Sequence, residues 1–257
     1  MALQVRVLGG SAAAISWARS GCLLVNDHIA LDSGGLASQL GLSEQVSVDH
    51  VLLTHAHLDH IGELAFLVDN VMTARAAALK IWAPGAVLGR VREHLFNDQL
   101  WPDFSQIRIG SHPVIEFCPL DSRAELILDG LRIRWAETSH PVPSVGYLVE
   151  DAGGAFLYTG DTGPTEAVWA LAGEAAALRA VFVETAFPNR LQELALASGH
   201  LTPALLCGEL EKLGAGDAVI NVMHVKPVYY DEIARELQAL SRPWRIVAGG
   251  EKILLRQ

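Results

Sequence analysis

Four side chains of metal-binding type lie within six consecutive positions of this sequence. The run from Val51 reads V-L-L-T-H-A-H-L-D-H-I-G, and it places His55, His57, Asp59 and His60 directly after an apolar, strand-like stretch. Imidazole and carboxylate groups are suitable ligands for zinc, and also for iron or manganese. The alternative is a solvated histidine-rich loop, or a helix start capped by Asp59. Four donors at the tip of a strand favour the metal site.

The run H-A-H-L-D-H resembles the HxHxDH signature of the metallo-β-lactamase superfamily. The resemblance implies an α/β fold, a four-layer αββα sandwich with metals at one edge of the two sheets. It also implies that His55 and His57 bind one metal, and that Asp59 and His60 bind the other. Histidine rather than glutamate at position 57 is unlike the flavodiiron branch and disfavours redox chemistry.

The same resemblance calls for three further ligands downstream, each at the end of a strand. His140 lies in E-T-S-H-P-V-P-S, Asp161 in Y-T-G-D-T-G and His224 in N-V-M-H-V-K-P, and each follows an apolar run. By resemblance, His140 completes metal one, Asp161 bridges both metals and His224 completes metal two. The remaining histidines outside these motifs are interpreted as surface or core residues: His28, His50, His94 and His112.

Such a site would hold two divalent metal ions, with zinc preferred over manganese or iron. Two divalent ions about 3.5–4 Å apart can share a water and lower its pKa enough to give hydroxide near neutral pH. Asp59 could orient that hydroxide as well as bind metal. The net charge of such a centre is positive, so the site would attract a small anionic substrate.

Four further segments resemble the class II cyclic-nucleotide phosphodiesterases of this superfamily. They are V-F-V-E-T-A-F-P-N with Glu184, S-G-H-L-T-P with His200, Y-T-G-D-T-G-P, and H-L-F-N-D-Q-L-W-P-D-F at 94–104. The resemblance runs from Gly9-Gly10 to the H-V-K-P segment, with alanine at 186 where serine is expected. It implies hydrolysis of cyclic AMP to the 5′-nucleotide, with cyclic GMP as a second candidate substrate.

Two other functions stay open. The Glu184 and His200 motifs also resemble transfer-RNA 3′-processing endonucleases, in which such a pair helps to protonate the leaving oxygen. A carboxylate fixes the tautomer of an imidazole and raises its basicity, so we assign this pair to leaving-group protonation or phosphate contact. A strand-end ion pair is the structural alternative. A non-catalytic nucleotide-binding protein is the third function, and the intact ligand set argues against it.

Segment 97–104 supplies candidates for substrate contact. Asn97 could hydrogen-bond a base or a phosphate, and Phe96, Trp101 or Phe104 could stack on a purine. The alternative is a helix end that packs its aromatic residues into the core.

The elements that must position these residues alternate along the chain. Short apolar runs predict strands at Val5–Leu8, Gly21–Val25, His28–Leu31, His50–Thr54, Lys80–Ala83, Leu131–Glu137, Ser144–Glu150, Ala155–Thr159, Ala180–Val183 and Ala218–Asn221. Longer patterns predict helices at Gly35–Leu40, Asp59–Ala78, Val87–Leu95, Thr165–Leu178, Thr202–Lys212 and Tyr230–Leu240.

Length and composition set the outer limits. The 257 residues, 51% of them apolar, suit one domain spanning 1–257. No apolar run approaches the roughly 18 residues of a membrane helix, and no signal peptide is evident, so we expect a cytoplasmic protein without a membrane partner. The net charge of −10 disfavours a large nucleic-acid partner. The three separated cysteines are expected to be free in a reducing compartment. A homodimer is a family-level expectation.

Overall fold

Two seven-stranded sheets form the framework of the protein in the computed structural model, which describes residues 3–9, 21–214 and 216–255. The strands in chain order are β1 (Leu3–Val7), β2 (Leu23–Val25), β3 (Ile29–Leu31), β4 (His50–Leu52), β5 (Leu79–Ala83), β6 (Arg108–Ile109), β7 (His112–Pro113), β8 (Ile115–Pro119), β9 (Leu126–Leu128), β10 (Leu131–Glu137), β11 (Val145–Asp151), β12 (Gly154–Tyr158), β13 (Leu178–Glu184), β14 (Val219–Met223), β15 (Trp244–Ile246) and β16 (Lys252–Leu255).

Each sheet has seven strands and contains a run of four parallel strands. The first has the order β16-β1-β2-β3-β4-β5-β8, and the second has the order β15-β14-β13-β12-β11-β10-β9, while β6 and β7 form a separate ribbon. In the first sheet β3, β4, β5 and β8 run parallel, and in the second β12, β13, β14 and β15 do. The carboxyl ends of parallel strands share one edge, where open α/β sheets bind their ligands.

The helices lie between the strands in sequence. They are α1 (Leu36–Gln39), α2 (Leu42–Ser47), α3 (Leu58–Ile61), α4 (Leu64–Val71), α5 (Gly85–His94), α6 (Ala167–Gly173), α7 (Gln192–Ser198), α8 (Pro203–Glu211) and α9 (Tyr230–Glu236), with short 3₁₀ turns at Asn189–Leu191, Pro227–Tyr229 and Leu237–Ala239. Within the described ranges no helix is both long and apolar enough to cross a membrane.

Three buried apolar clusters define four layers. The middle cluster joins the inner faces of both sheets, where Val5 and Leu52 of the first sheet meet Tyr147 and Phe182 of the second. A second cluster packs the outer face of the first sheet against α1 to α5. The third packs the outer face of the second sheet against α6, α8 and α9. The αββα sandwich predicted from the sequence is therefore confirmed.

All ten predicted strands have counterparts, but one long helix was predicted wrongly. The pattern over Asp59–Ala78 forms two short helices, α3 and α4, and α4 ends at Val71. The break falls at Gly62 and Glu63, because the Glu63 carboxylate accepts hydrogen bonds from the backbone of Ala37 and Ser38 and so turns toward α1. The prediction Thr165–Leu178 was too long and corresponds to Ala167–Gly173. The prediction Tyr230–Leu240 corresponds to Tyr230–Glu236 followed directly by the 3₁₀ turn Leu237–Ala239.

The start of α8 agrees with its sequence signal. The Thr202 hydroxyl accepts a hydrogen bond from the amide of Leu205, and Pro203 occupies the first helical position. This arrangement satisfies one of the amide groups that a helix start leaves unpaired, and it requires no amide from Pro203. Just before this cap, the Leu201 amide donates to the Glu184 carboxylate and ties the segment that begins at His200 to the carboxyl end of β13.

Candidate metal centre

The strand ends bring the seven sequence-predicted donors together in two groups. His55, His57, His140 and Asp161 offer ligand atoms that all lie within 4.8 Å of one another. The first two follow β4 in the first sheet, whereas His140 follows β10 and Asp161 follows β12 in the second. The first group therefore draws its donors from both sheets.

Asp161 also belongs to the second group. Asp59, His60, Asp161 and His224 again lie within 4.8 Å of one another through their ligand atoms. The Asp161 carboxylate is 3.3 Å from His60 Nε2 and 3.6 Å from His224 Nε2, and it is 3.9 Å from His55 Nε2 of the first group. A carboxylate shared between two donor sets has the geometry of a bridge.

Backbone conformations that are rare for side-chain-bearing residues occur at this edge. His224 has φ +55° and Asp32 has φ +59°. Such strain persists where the surrounding structure enforces it, and it tends to concentrate at functional sites. Gly160 has φ +59°, and a Cβ atom there would lie 2.9 Å from the Cβ of Thr54. The glycine thus lets the chain pass Thr54 closely and present Asp161.

We therefore predict that Gly160→Ala lowers the free energy of unfolding by about 2 kcal/mol. The loss arises because alanine is strained in the left-handed conformation and because its Cβ would clash with Thr54. Gly89→Ala is the matched control, because a Cβ at that helical position meets no atom within 4 Å. The control should raise the free energy of unfolding by about 0.5–1 kcal/mol. Urea unfolding of both variants measures the difference, and equal stability of the two would contradict the interpretation.

Asp32 is a functional candidate that sequence reasoning missed. Its buried carboxylate accepts hydrogen bonds from the Thr54 amide, the Thr54 hydroxyl, the Tyr158 hydroxyl and His60 Nδ1, at 2.7–2.8 Å. Gly21 makes room for this contact, since a Cβ there would lie 2.0 Å from the Tyr158 hydroxyl. The sequence signal was weak: one aspartate at the end of a three-residue strand. Asp32 therefore fixes the orientation of His60 directly and that of His55 through the Thr54 hydroxyl.

These hydrogen bonds also determine which nitrogen of each imidazole carries the proton. His60 Nδ1 donates to Asp32, and the Thr54 hydroxyl, which donates to Asp32, must accept from His55 Nδ1 at 2.9 Å. In the neutral form of both rings, Nε2 is therefore the unprotonated nitrogen, and it faces the centre. His55 Nε2 and His60 Nε2 are buried without a hydrogen-bond partner among the described residues. Buried nitrogens of this kind, oriented by bonds on the opposite side of the ring, fit metal ligation.

The pKa shifts are consistent with this arrangement. Burial, then the charge of His60, holds the pKa of His55 far below its usual range. Burial also disfavours charge on His60 and on Asp161. For His60 the attraction to Asp161 and Asp32 outweighs burial, and for Asp161 the attraction to His224 and His60 does. The pKa of His60 is therefore raised well above its ordinary value, and the pKa of Asp161 is lowered well below its own. The shared carboxylate is thus anionic.

A carboxylate–imidazole pair borders the two donor groups. His200 Nδ1 lies 2.6 Å from Glu184 Oε1. The Glu184 carboxylate also accepts from the amides of Thr162 and Ala186, so its position is fixed. Burial alone would lower the pKa of His200, but the bond and charge of Glu184 raise it above the ordinary value. His200 stacks on His224, with ring centroids 5.4 Å apart, so the pair directly adjoins the centre.

A lysine contributes positive charge on the same side. The Lys226 ammonium lies 5.0 Å from the centroid of the Phe187 ring, and that ring packs edge-on against His200 at 5.8 Å. Cations over aromatic faces are stabilised by the ring quadrupole. This lysine follows His224 in the H-V-K-P segment, and the sequence analysis assigned it no role.

The candidate contact residues have partners at the end of α5 and in the core. The Asn97 side chain is occupied at the end of α5, where it donates to the Glu93 carbonyl and accepts from the Leu100 amide. Phe96 and Phe104 are 1% and 2% exposed and contact each other in the core. The core-packing alternative therefore describes these two rings. Trp101 packs against Phe66.

The histidines outside the motifs, like the cysteines, have other surroundings. His28 bonds to the Ser47 carbonyl, His50 accepts from Trp82, and His112 lies against the Pro113 carbonyl. His94 is exposed. The cysteines are free: Cys22 and Cys118 are buried, and Cys207 is half-buried. Gly10 of the Gly9-Gly10 motif lies outside the described residues.

Comparison with known proteins places this site in a family. Residues 35–224 match the family described as "Beta-lactamase superfamily domain". A protein of Yersinia pestis named "Probable 3′,5′-cyclic-nucleotide phosphodiesterase" is 28% identical over 233 residues, which cover 80% of this chain and 66% of that protein. A "Ribonuclease Z" of Methanopyrus kandleri is 31% identical over 103 residues, which cover 40% of this chain and 32% of that protein.

The chain thus spans less than two thirds of either relative's length. Among solved structures, the metallo-beta-lactamase fold protein YhfI from Bacillus subtilis superposes with a TM-score of 0.76 at 18% identity, covering 98% of each chain. That similarity concerns the fold. The family match covers the HxHxDH segment, His140, Asp161 and His224. The chain therefore belongs to the beta-lactamase superfamily.

Proposed function

We propose that the protein is a metal-dependent hydrolase that cleaves 3′,5′-cyclic nucleotides to 5′-nucleotides. The observation that carries the proposal is the Glu184–His200 pair, bonded at 2.6 Å, beside two donor groups that share Asp161. The donors suit activation of water, and the pair suits protonation of a leaving oxygen. Hydrolysis of a phosphodiester with a strongly basic leaving oxygen draws on both.

The proposed metal ligands are His55, His57 and His140 for one ion, Asp59, His60 and His224 for the other, and Asp161 for both. Two divalent cations would supply Lewis acidity, which makes water acidic enough to attack phosphorus near neutral pH. The orphaned Nε2 atoms of His55 and His60 support this proposal. A donor set of imidazoles and carboxylates favours zinc, with manganese or iron as alternatives.

The chain's own residues would complete the reaction. Water adds its oxygen to phosphorus, the bond from phosphorus to the 3′-oxygen breaks, and a proton must reach that oxygen. The exposed carboxylate of Asp59 can accept a hydrogen bond from the attacking water and orient it. His200, held through Nδ1 by Glu184, has Nε2 as its other ring nitrogen and would donate the proton from it. Lys226 would attract the phosphate.

The substrate class rests on two further observations. The Yersinia pestis relative carries the name of a cyclic-nucleotide phosphodiesterase and matches over 80% of this chain. The chain has a net charge of −10, so a small anion that reaches a local cationic site fits better than a long polyanion. A homodimer, implied only by the family resemblance, stays a prediction that light scattering would check.

Transfer-RNA 3′ processing is the second candidate, because the Methanopyrus kandleri relative is named Ribonuclease Z. The same residues would perform the same chemistry on a larger phosphodiester. This function predicts binding of a transfer-RNA precursor that weakens steeply with salt. A gel shift at low salt that shows no complex would exclude it.

The direct experiment is turnover of cyclic AMP and cyclic GMP by protein reconstituted with zinc or with manganese, with ion content measured in parallel. We expect two ions per chain and conversion to the 5′-nucleotide. His57→Ala should lose activity and bound metal together. Fully metallated protein that converts neither nucleotide would overturn the substrate assignment, and a metal content below one ion per chain would favour a non-catalytic protein.

A further inference from the structure

A cavity adjoins the candidate metal centre, and the chemistry proposed above assigns it no role. It has a volume of about 320 Å³, and His57 borders it. Ala86 and Val87 of α5 form one wall, and the segment from Pro141 to Pro143 forms the other. Sites for small organic molecules have volumes of roughly 300–1,000 Å³ and mostly apolar walls. We call this cavity the α5 pocket.

The α5 pocket is connected to the candidate metal centre through His57. His57 Nδ1 lies 3.1 Å from His140 Nε2, and the ring of His140 lies 5.3 Å from the ring of His200. His140 thus lies between His57, which borders the pocket, and His200 of the Glu184 pair in this chain of contacts. Pro141, in the pocket wall, directly follows His140. A phosphate at the centre would thus adjoin both the pocket and the proton donor.

The walls and rim have distinct chemistry. Two prolines, two valines and two alanines offer non-ionisable surfaces that suit a planar ring. The rim carries the cationic side chain of Arg90. Arg90 Nη1 lies 3.1 Å from Glu93, but both side chains are about 60% exposed, and exposed ion pairs contribute little. The guanidinium can therefore turn to a ligand. Its paired donors match the O6 and N7 acceptors of guanine, whereas adenine presents one acceptor and one donor at that edge.

We propose that the α5 pocket binds the purine base of the substrate and that Arg90 selects guanine over adenine. This inference rests on the proposed phosphodiesterase function, since it places the phosphate of the same substrate at the metal centre. It assigns the pocket as the specificity site of the enzyme, with cyclic GMP as the preferred cyclic nucleotide.

The first test fills the pocket. Ala86 is exposed on α5, so Ala86→Phe places a ring in the cavity without disturbing the core. We compare KM for cyclic GMP with KM for methyl 4-nitrophenyl phosphate, a phosphodiester that lacks a base. The ratio of the two should rise about tenfold or more. Gly89→Phe is the control, because it adds the same ring to the same helix outside the pocket and should leave the ratio unchanged.

The second test addresses the choice of base. Arg90→Gln should lower the ratio of kcat/KM for cyclic GMP to that for cyclic AMP by about tenfold, the discrimination expected of one paired arginine contact. Arg92→Gln is the matched control, because Arg92 lies over the Phe117 ring at 4.4 Å and does not line the pocket. Equal ratios in the two variants would show that Arg90 does not read the base.

A binding measurement separates failure of the pocket from failure of the catalytic proposal. Guanosine, which has no phosphate, should bind the metal-loaded wild type in isothermal titration and bind Ala86→Phe about tenfold more weakly. Guanosine that fails to bind, or binds both proteins equally, overturns the pocket assignment even if phosphodiesters are hydrolysed. Guanosine binding without turnover of any phosphodiester supports the pocket and overturns the proposed function.

Discussion

Asp161→Asn should leave the protein with less bound metal and reduce turnover of cyclic nucleotides by roughly 10³-fold or more. The Asp161 carboxylate lies within 3.9 Å of His55, His60 and His224, and it belongs to both donor groups. An amide removes the negative charge that both cations would share and offers only one oxygen. Metal analysis of the purified variant, together with kcat at saturating zinc, measures the two effects separately.

Asp69→Asn is the matched control, because it makes the same change at an exposed position on α4. The control should retain wild-type metal content and turnover. If Asp161→Asn also retains both, the shared carboxylate does not bridge metals and the ligand assignment is wrong. Circular dichroism of both variants checks folding, since Asp161 is buried.

His200→Ala should slow hydrolysis in a way that depends on the leaving group. General acid catalysis contributes roughly 10²–10⁴-fold when the departing oxygen is strongly basic. The 3′-oxygen of a cyclic nucleotide is of that kind, so its turnover should fall by about that factor. 4-Nitrophenolate departs without a proton, so methyl 4-nitrophenyl phosphate should be affected far less. The measurement is kcat for both substrates in the variant and the wild type.

Glu184→Gln provides the second half of this experiment. Glu184 would act through His200, by holding its Nδ1 and favouring its protonated form, so it is a positioning residue. We expect the same dependence on the leaving group at smaller magnitude, and little additional loss in the double variant. A uniform loss for both substrates would show that the pair maintains structure and does not protonate the leaving group.

The grouping of the candidate metal ligands could be predicted from the sequence because four of them form a contiguous signature. His55, His57, Asp59 and His60 are adjacent in the chain, and that fixed spacing led to the resemblance that located His140, Asp161 and His224. Asp32 was missed because its importance comes from contacts with residues 22 to 126 positions away. No local pattern encodes such contacts.

Errors in the predicted elements have a similar origin. Apolar periodicity over Asp59–Ala78 indicates helix, but it does not show the hydrogen bonds from Ala37 and Ser38 to Glu63 at the break between α3 and α4. Strands β6, β7 and β9 contain only two or three residues, too few to show alternation, and β15 and β16 lie at sheet edges. Substrate contact by Asn97 stays a prediction, and its side-chain amide is hydrogen-bonded at the end of α5.

The division of the donors between the two sheets has a consequence for assembly of the protein. His55, His57, Asp59 and His60 extend from one half of the sandwich, and His140, Asp161 and His224 extend from the other. Neither half alone can coordinate an ion fully, so cation affinity arises only when the halves have docked. Each bound ion would then link the two sheets at the edge where the donors lie. It would add about 4 kcal/mol to the stability of the native state when the free metal concentration is about a thousand times its dissociation constant. Removal of the ions by a chelator would first destabilise the loops that carry the donors, while the apolar layer between the sheets still holds the two halves together.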